Sequence, residues 1–240
     1  MASTPLVLCY HAVSERWEDP LAVSPRALLA QVRSLLARGL RPAAADEVCG
    51  GDARSFHVTF DDAYRSVEEV LPALRGLGVG VTVFACSDLA AEGAALAVPE
   101  VAPRAVGHEE EILTMDWEAL RRAAALGVEI GSHTRSHPHL TRLGDEELRT
   151  ELADSRRALE EHIQRPCRYL AYPYGESDDR VRHAAREAGY EAAYALASRP
   201  SEGPYGIPRA DVYRGDGHLR FRLKTSRLLP LARAGARLLR

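Results

Sequence analysis

Lysine is nearly absent from this chain, cysteine is sparse, and no long apolar run occurs. The lysine shortage accompanies abundant alanine, leucine and arginine, the bias of a GC-rich coding sequence, and carries no functional weight. The four cysteines, Cys9, Cys49, Cys86 and Cys167, are widely scattered with no Cys-x-x-Cys pair, which excludes zinc-ribbon and thioredoxin-type sites. Cys9 and Cys86 lie in apolar runs and are expected to be buried small hydrophobes. No apolar stretch approaches the roughly 20 residues needed to span a bilayer. The amino-terminal residues Met1 to Pro5 lack a basic segment followed by an apolar region, so no signal peptide and a cytoplasmic location are expected. A net charge of −3 argues against a general nucleic-acid binder.

What is present suits one large α/β domain: 240 residues, 46% of them hydrophobic and 27% charged, enough to bury a core without staples. Short apolar runs alternate with amphipathic stretches. Strands are expected over residues 6–10, 56–60, 79–85, 128–131, 168–172, 190–197 and 207–213. Helices are expected from Ser24-Pro25 to Gly39 and over 67–77, 116–126, 145–164 and 178–188, with Ser24 and Asp116 as N-caps. This alternation implies a distorted (β/α) barrel with about seven parallel strands. Residues 90–113 are the exception, rich in Ala, Gly and Pro, then acidic at Glu109-Glu110-Glu111, without periodicity. A loop that long is either a functional lid or a mobile segment.

Chemistry concentrates at strand ends. Asp61 and Asp62 follow the run His57-Val58-Thr59-Phe60. Strand C-terminal ends face the active site in parallel α/β folds, and adjacent carboxylates there repel unless a cation joins them. The alternative is a pair of helix caps. His133 and His137 follow Val128-Glu129-Ile130-Gly131, and their i,i+4 spacing predicts two rings on one side of a helical turn. One carboxylate plus two imidazoles can hold a divalent metal, leaving a second carboxylate free as a base.

On these residues the chain resembles the polysaccharide deacetylases, the NodB-like carbohydrate esterase family. Thr59-Phe60-Asp61-Asp62 is similar to the family's first motif, His133-Thr134-Arg135-Ser136-His137-Pro138-His139-Leu140 to its second, and Tyr172-Pro173-Tyr174-Gly175 to its third. Leu8-Cys9-Tyr10-His11 and the stretch 117–131 are similar too, so the likeness spans most of 5–215. The resemblance implies metal-dependent removal of an N-acyl group, above all acetyl, from an amino sugar or glycoconjugate. Asp61 would be the general base. Asp62, His133 and His137 would hold the metal, zinc first, with cobalt, nickel or manganese as alternatives. A backbone N–H near Tyr174 would stabilise the oxyanion, with Tyr172 beside the substrate. Ester or formamide hydrolysis by the same site, or a catalytically silent carbohydrate- or lipid-binding module, are the competing readings.

Two departures from the family pattern stand out. The third motif usually carries an Arg that orients the catalytic Asp, and here the position is Ala171. Arg209, in Ile207-Pro208-Arg209, or Arg168 could supply a guanidinium instead. The family's late histidine, the acid for the leaving amine, has no clear counterpart; His218 and His11 are the candidates. Finally, residues 221–240 form a basic tail without an acid, a domain-external segment that reads either as a weak membrane-surface contact or as a solvated helix. Pro230 and Gly235 favour the second.

Overall fold

A computed structural model describes residues 5–196 and 203–226. Its strands are β1 (Leu6–Tyr10), the short pair β2 (Ala12–Val13) and β3 (Ala22–Val23), β4 (Arg41–Pro42), β5 (Ser55–Phe60), β6 (Val81–Ala85), β7 (Glu129–Ser132), β8 (Tyr169–Ala171), β9 (Ala192–Leu196) and β10 (Ile207–Asp211). The main sheet runs β1-β10-β9-β8-β7-β6-β5, and β1 pairs back onto β5, so seven parallel strands close a distorted barrel. The short β4 adds to β5 from outside. The helices are α1 (Pro25–Ala37), α2 (Leu71–Gly76), α3 (Ser87–Ala90), α4 (Trp117–Ala125), α5 (Asp145–Ile163), α6 (Asp179–Glu187) and α7 (His218–Lys224).

Local sequence explains the boundaries. Ser24 and Asp116 cap α1 and α4 by accepting from the backbone N–H groups of Ala27 and Ala119, and Asp178 caps α6 through Val181. The single helix expected over 67–77 is split. A 3₁₀ turn at Arg65–Glu69 precedes α2, because Pro72 has no N–H and suits only a helix's first turn. Residues 90–113 are neither a long helix nor a bare loop. They fold into 3₁₀ turns at Ala102–Arg104 and Glu109–Ile112 and bury Leu96, Val101, Ala105 and Ile112. Short turns leave no period for a sequence to display, and the apolar residues between them pin the segment to the barrel. The Trp17 indole also donates to the Arg104 carbonyl at 3.0 Å, and Arg104 pairs with buried Asp19 at 2.8 Å.

Strand alternation divides the core in two. On β5, Phe56, Val58 and Phe60 join the outer core under the helices, which leaves His57 and Thr59 on the inner side. On β8, Leu170 faces out while Tyr169 and Ala171 face in. The inner cluster packs Val7, Phe84, Tyr169, Ala171, Tyr194 and Ile207. Gly131 makes room for it: a Cβ there would lie 2.5 Å from the Phe84 ring. His57 bonds the Ala43 carbonyl and Thr82, each at 2.8 Å; burial outweighs the carbonyl contact and lowers its pKa to about 4, so it is a neutral structural residue.

Candidate active site

The alternation that turns His57 and Thr59 inward carries Asp61 to the mouth of the barrel. Its N–H bonds the Tyr10 carbonyl at 2.9 Å, tying the end of β5 to the end of β1. The chain then turns sharply: Asp62 (φ 66°) and Ala63 (φ 48°) both adopt left-handed backbone. That conformation costs about 1–3 kcal/mol at a non-glycine residue and concentrates at functional sites. It gives two neighbouring carboxylates different surroundings.

The second motif does the same. The spacing of His133 and His137 predicts a helical turn, but the structure has an irregular one, with Thr134 at φ 71° and His137 at φ 64°. Side chains hold it. Glu151 on α5 accepts the N–H groups of Arg135 and Ser136 at 2.8 and 3.0 Å and the Ser136 hydroxyl at 2.7 Å. Ser155, hydrogen-bonded to Ser132, donates to the Thr134 carbonyl at 2.9 Å. The two imidazoles still converge, edge to face, with ring centroids 4.9 Å apart.

Asp62, His133 and His137 thus meet as three buried groups whose ligand atoms lie within 4.8 Å of one another. His133 Nδ1 donates to the Ala171 carbonyl at 2.8 Å, which fixes its tautomer and turns the Nε2 lone pair toward Asp62. Asp62 Oδ1 is 3.4 Å from that nitrogen and 3.3 Å from His137 Nε2. Both separations exceed the 2.7–2.9 Å of a charge-assisted hydrogen bond, and Oδ1 has no well-formed hydrogen bond among the described residues. A buried carboxylate oxygen facing two nitrogens at that distance fits a shared cation. Burial would raise the Asp62 pKa, but the two histidines outweigh it and hold it well below the ordinary value. Burial would lower that of His133, but Asp61 and Asp62 raise it. The two shifts express one attraction, between carboxylates and imidazoles brought together in a buried cluster.

Asp61 stands apart from this triad. Arg209 on β10 reaches across the barrel and grips it with two bonds, Nη1 to Oδ1 at 2.5 Å and Nη2 to Oδ2 at 2.7 Å. Arg209 is wholly buried, packed near the rings of Phe84 and Tyr194 at 5.5 and 5.9 Å, and also donates to Thr59. The Cys9 thiol points to Asp61 Oδ2 at 3.4 Å; burial pushes its pKa well up, so it stays a thiol. For Asp61 itself burial is the largest influence and opposes ionisation. The charges of Arg209 and His133, the Arg209 hydrogen bonds and His11 together overcome it and keep the pKa below the usual carboxylate value.

The polysaccharide deacetylase family model matches residues 50–193, more than half the chain. The chain belongs to the polysaccharide deacetylase family.

YxkH of Bacillus subtilis is 24% identical over 220 residues, covering 87% of this chain and 71% of YxkH. Among solved structures, the deacetylase PplD of Streptococcus pyogenes, in complex with acetate, superposes with a TM-score of 0.76 at 17% identity over 94% of this chain and 100% of that one. IcaB from Ammonifex degensii gives 0.70 at 22% identity over 93% and 97%. At such identities the likeness shows the shared fold.

The remaining candidate residues of this polysaccharide deacetylase divide clearly. His11 follows β1 in the Cys9–His11–Asp61 cluster, whose potential ligand atoms also lie within 4.8 Å of each other, and its buried Nδ1 has no hydrogen-bond partner among the described residues. Asp211, at the end of β10, interacts electrostatically with both His11 and Arg209; burial dominates and raises its pKa. Tyr174 adopts φ 58° in the third motif, stacks on His139 at 3.9 Å and meets the His137 ring edge to face at 4.8 Å. Its hydroxyl donates to Glu100 of the 90–113 segment at 3.3 Å.

Two expected site residues lie elsewhere. Tyr172 continues the outward side of β8, is fully buried in the outer core, and donates its hydroxyl to the Tyr205 carbonyl at 3.0 Å. His218 is the exposed first residue of α7 and makes no polar contact with the Asp61–Asp62 cluster. Arg168, the other candidate guanidinium, pairs with Glu129 at 3.3 Å. Sequence reasoning missed Glu151, Ser155, Asp211 and Glu100, which carry no motif of their own and act only through folded contacts.

Proposed function

We propose that the chain is a metal-dependent N-deacetylase of amino sugars or their conjugates. The observation that carries this is the split of the aspartate pair: Asp62 with the two histidines, Asp61 with Arg209. Asp62, His133 and His137 would hold a divalent cation, zinc foremost, which when bound polarises a carbonyl and acidifies a water.

The protein's own groups supply the rest. Asp61, held ionised by Arg209, takes a proton at a carboxylate oxygen from the attacking water. Arg209 keeps that carboxylate in one orientation through two bonds, so it acts as a positioning residue for the base. The left-handed turn at Tyr174 presents backbone N–H to the developing oxyanion. His11, grouped with Asp61 in a cluster separate from the triad, donates the proton that the leaving amine needs. Arg209 stands in for the guanidinium absent at Ala171, and with it goes the main ground for a catalytically silent module. The silent reading has no use for a buried ion pair beside the ligands, given its desolvation cost.

The test is chelation followed by readdition. The metal-stripped protein should release no acetate from N-acetylglucosamine oligomers and should recover with zinc or cobalt, freeing one amine per acetate. Acetate from O-acetyl sugars without amine, or formate from N-formyl sugars alone, would assign the site to ester or formamide hydrolysis instead.

A further inference from the structure

The mouth of the barrel holds a second group of potential ligands, apart from Asp62, His133 and His137. Cys9, His11 and Asp61 each offer one ligand atom, and these atoms lie within 4.8 Å of one another. Strand register assembles them. β1 pairs with β5 at Cys9 and Thr59, and with β10 at Cys9 and Asp211. Side chains two positions apart share a face of a sheet, so Cys9 follows Val7 of the inner cluster, and Asp211 follows Arg209. His11 and Asp61 stand one step of the same alternation beyond Cys9 and Thr59.

The polar atoms gathered there are incompletely satisfied. His11 Nδ1 and Asp211 Oδ1 are buried with no hydrogen-bond partner among the described residues, and an unmet group of this kind costs about 1–3 kcal/mol. The Cys9 thiol points to Asp61 Oδ2 at 3.4 Å. In a tetrahedral zinc site, bonds of about 2.3 Å to sulfur and 2.0 Å to oxygen set those two ligands roughly 3.5 Å apart. Charge also balances. A coordinating thiol loses its proton, so Cys9, Asp61 and Asp211 would present three negative charges. Arg209, which grips Asp61, and a divalent ion together supply three positive ones. A thiolate and an imidazole among the ligands select zinc or cobalt over magnesium or manganese.

We propose that Cys9, His11 and Asp61, with Asp211 beside them, form a second zinc site whose occupation inhibits the enzyme. The entering ion displaces the Cys9 proton to solvent and engages Asp61 and a His11 nitrogen. It fills after the Asp62–His133–His137 site, because burial holds the proton on Cys9 and Asp61 stays shared with Arg209. The inhibition rests on Asp61 as base and His11 as acid; the binding does not.

The experiment titrates the metal-stripped full chain with cobalt, reading absorbance and turnover together. The first equivalent should give no thiolate-to-cobalt charge-transfer band in the near ultraviolet, since Asp62, His133 and His137 include no sulfur. The second should bring that band, and turnover should fall by about 10²-fold or more as the acid and base are lost. Cys9→Ala should bind the first equivalent, keep wild-type turnover, show no band and resist excess cobalt or zinc. Cys9→Ser, which preserves the side-chain volume, reads the band equally if Cys9→Ala folds poorly. No band in the wild type at any cobalt excess, or a band that persists without Cys9, overturns the site. A Cys9-dependent band with turnover untouched overturns the inhibition. A chain inactive even with one equivalent would overturn the deacetylase reading, while the band still reports the second site.

Discussion

Replacing Arg209 with methionine is the most revealing single perturbation. The guanidinium is completely buried, and its two bonds to Asp61 are 2.5 and 2.7 Å long. Two unit charges about 4 Å apart attract by roughly 4 kcal/mol at an effective dielectric of 20. Desolvation offsets much of that in the intact pair. The variant leaves a carboxylate buried and unpaired, and breaking a buried pair in this way costs about 3–5 kcal/mol. For a chain of this size that corresponds to roughly 6–20 °C in Tm. The pH dependence has a definite sign. In the wild type the folded Asp61 pKa lies below its unfolded value, so its contribution is fully present above the unfolded pKa and lost as pH falls through the folded one. In the variant burial dominates and raises the Asp61 pKa, so the variant is weakest near neutrality. The stability gap should therefore narrow on acidification as Asp61 protonates in both proteins. Denaturant unfolding from acid to neutral pH, alongside kcat/KM, measures this. Arg209→Met/Asp61→Asn should recover most of the lost stability but no activity. A single variant as stable as wild type at neutral pH, or with unchanged kcat/KM, refutes the ion pair as the device that sets the base.

Further outcomes follow from the same contacts. Glu151→Ala frees the turn between the two histidines; zinc affinity, read by competition with a chromogenic chelator, should fall about 10–100-fold, as for other supporting partners of ligands. His11→Ala should lower kcat by about 10²–10⁴ for amide substrates and far less for an activated ester whose leaving group needs no proton. Equal losses on both would remove His11 as the acid. Tyr172→Phe should cost about 1 kcal/mol through the lost bond to the Tyr205 carbonyl and leave kcat/KM unchanged; a large kinetic defect would return Tyr172 to the site.

The barrel was legible because its strands are short β-branched or apolar runs between capped helices, and because each motif falls at a strand end. Asp61, Asp62, His133 and His137 could be found for that reason. The route of Arg209 was only a candidate, since a guanidinium crossing from β10 to β5 is a tertiary contact between residues 148 positions apart. The turn carrying the histidines differs from the helical one that their spacing predicts, because i,i+4 spacing suits a helix and an irregular turn alike. Its left-handed Thr134 and His137 flank Arg135 and Ser136, whose N–H groups are held by Glu151 on α5, a contact with no motif of its own. Tyr172 and Tyr174 look equivalent in sequence, yet strand alternation buries one in the outer core and a positive φ turns the other to the histidines. The basic residues 227–240 lie outside the described residues.

The central claim is that two adjacent aspartates do different work, and metal content measured beside turnover tests it most directly. Asp61→Asn and Asp62→Asn, each purified, stripped and reloaded with zinc, should separate. Asp61→Asn should hold one zinc per chain like wild type while releasing no acetate, and Asp62→Asn should lose the zinc. Zinc retained by Asp62→Asn and lost from Asp61→Asn, or acetate release by Asp61→Asn at the wild-type rate, would contradict the account.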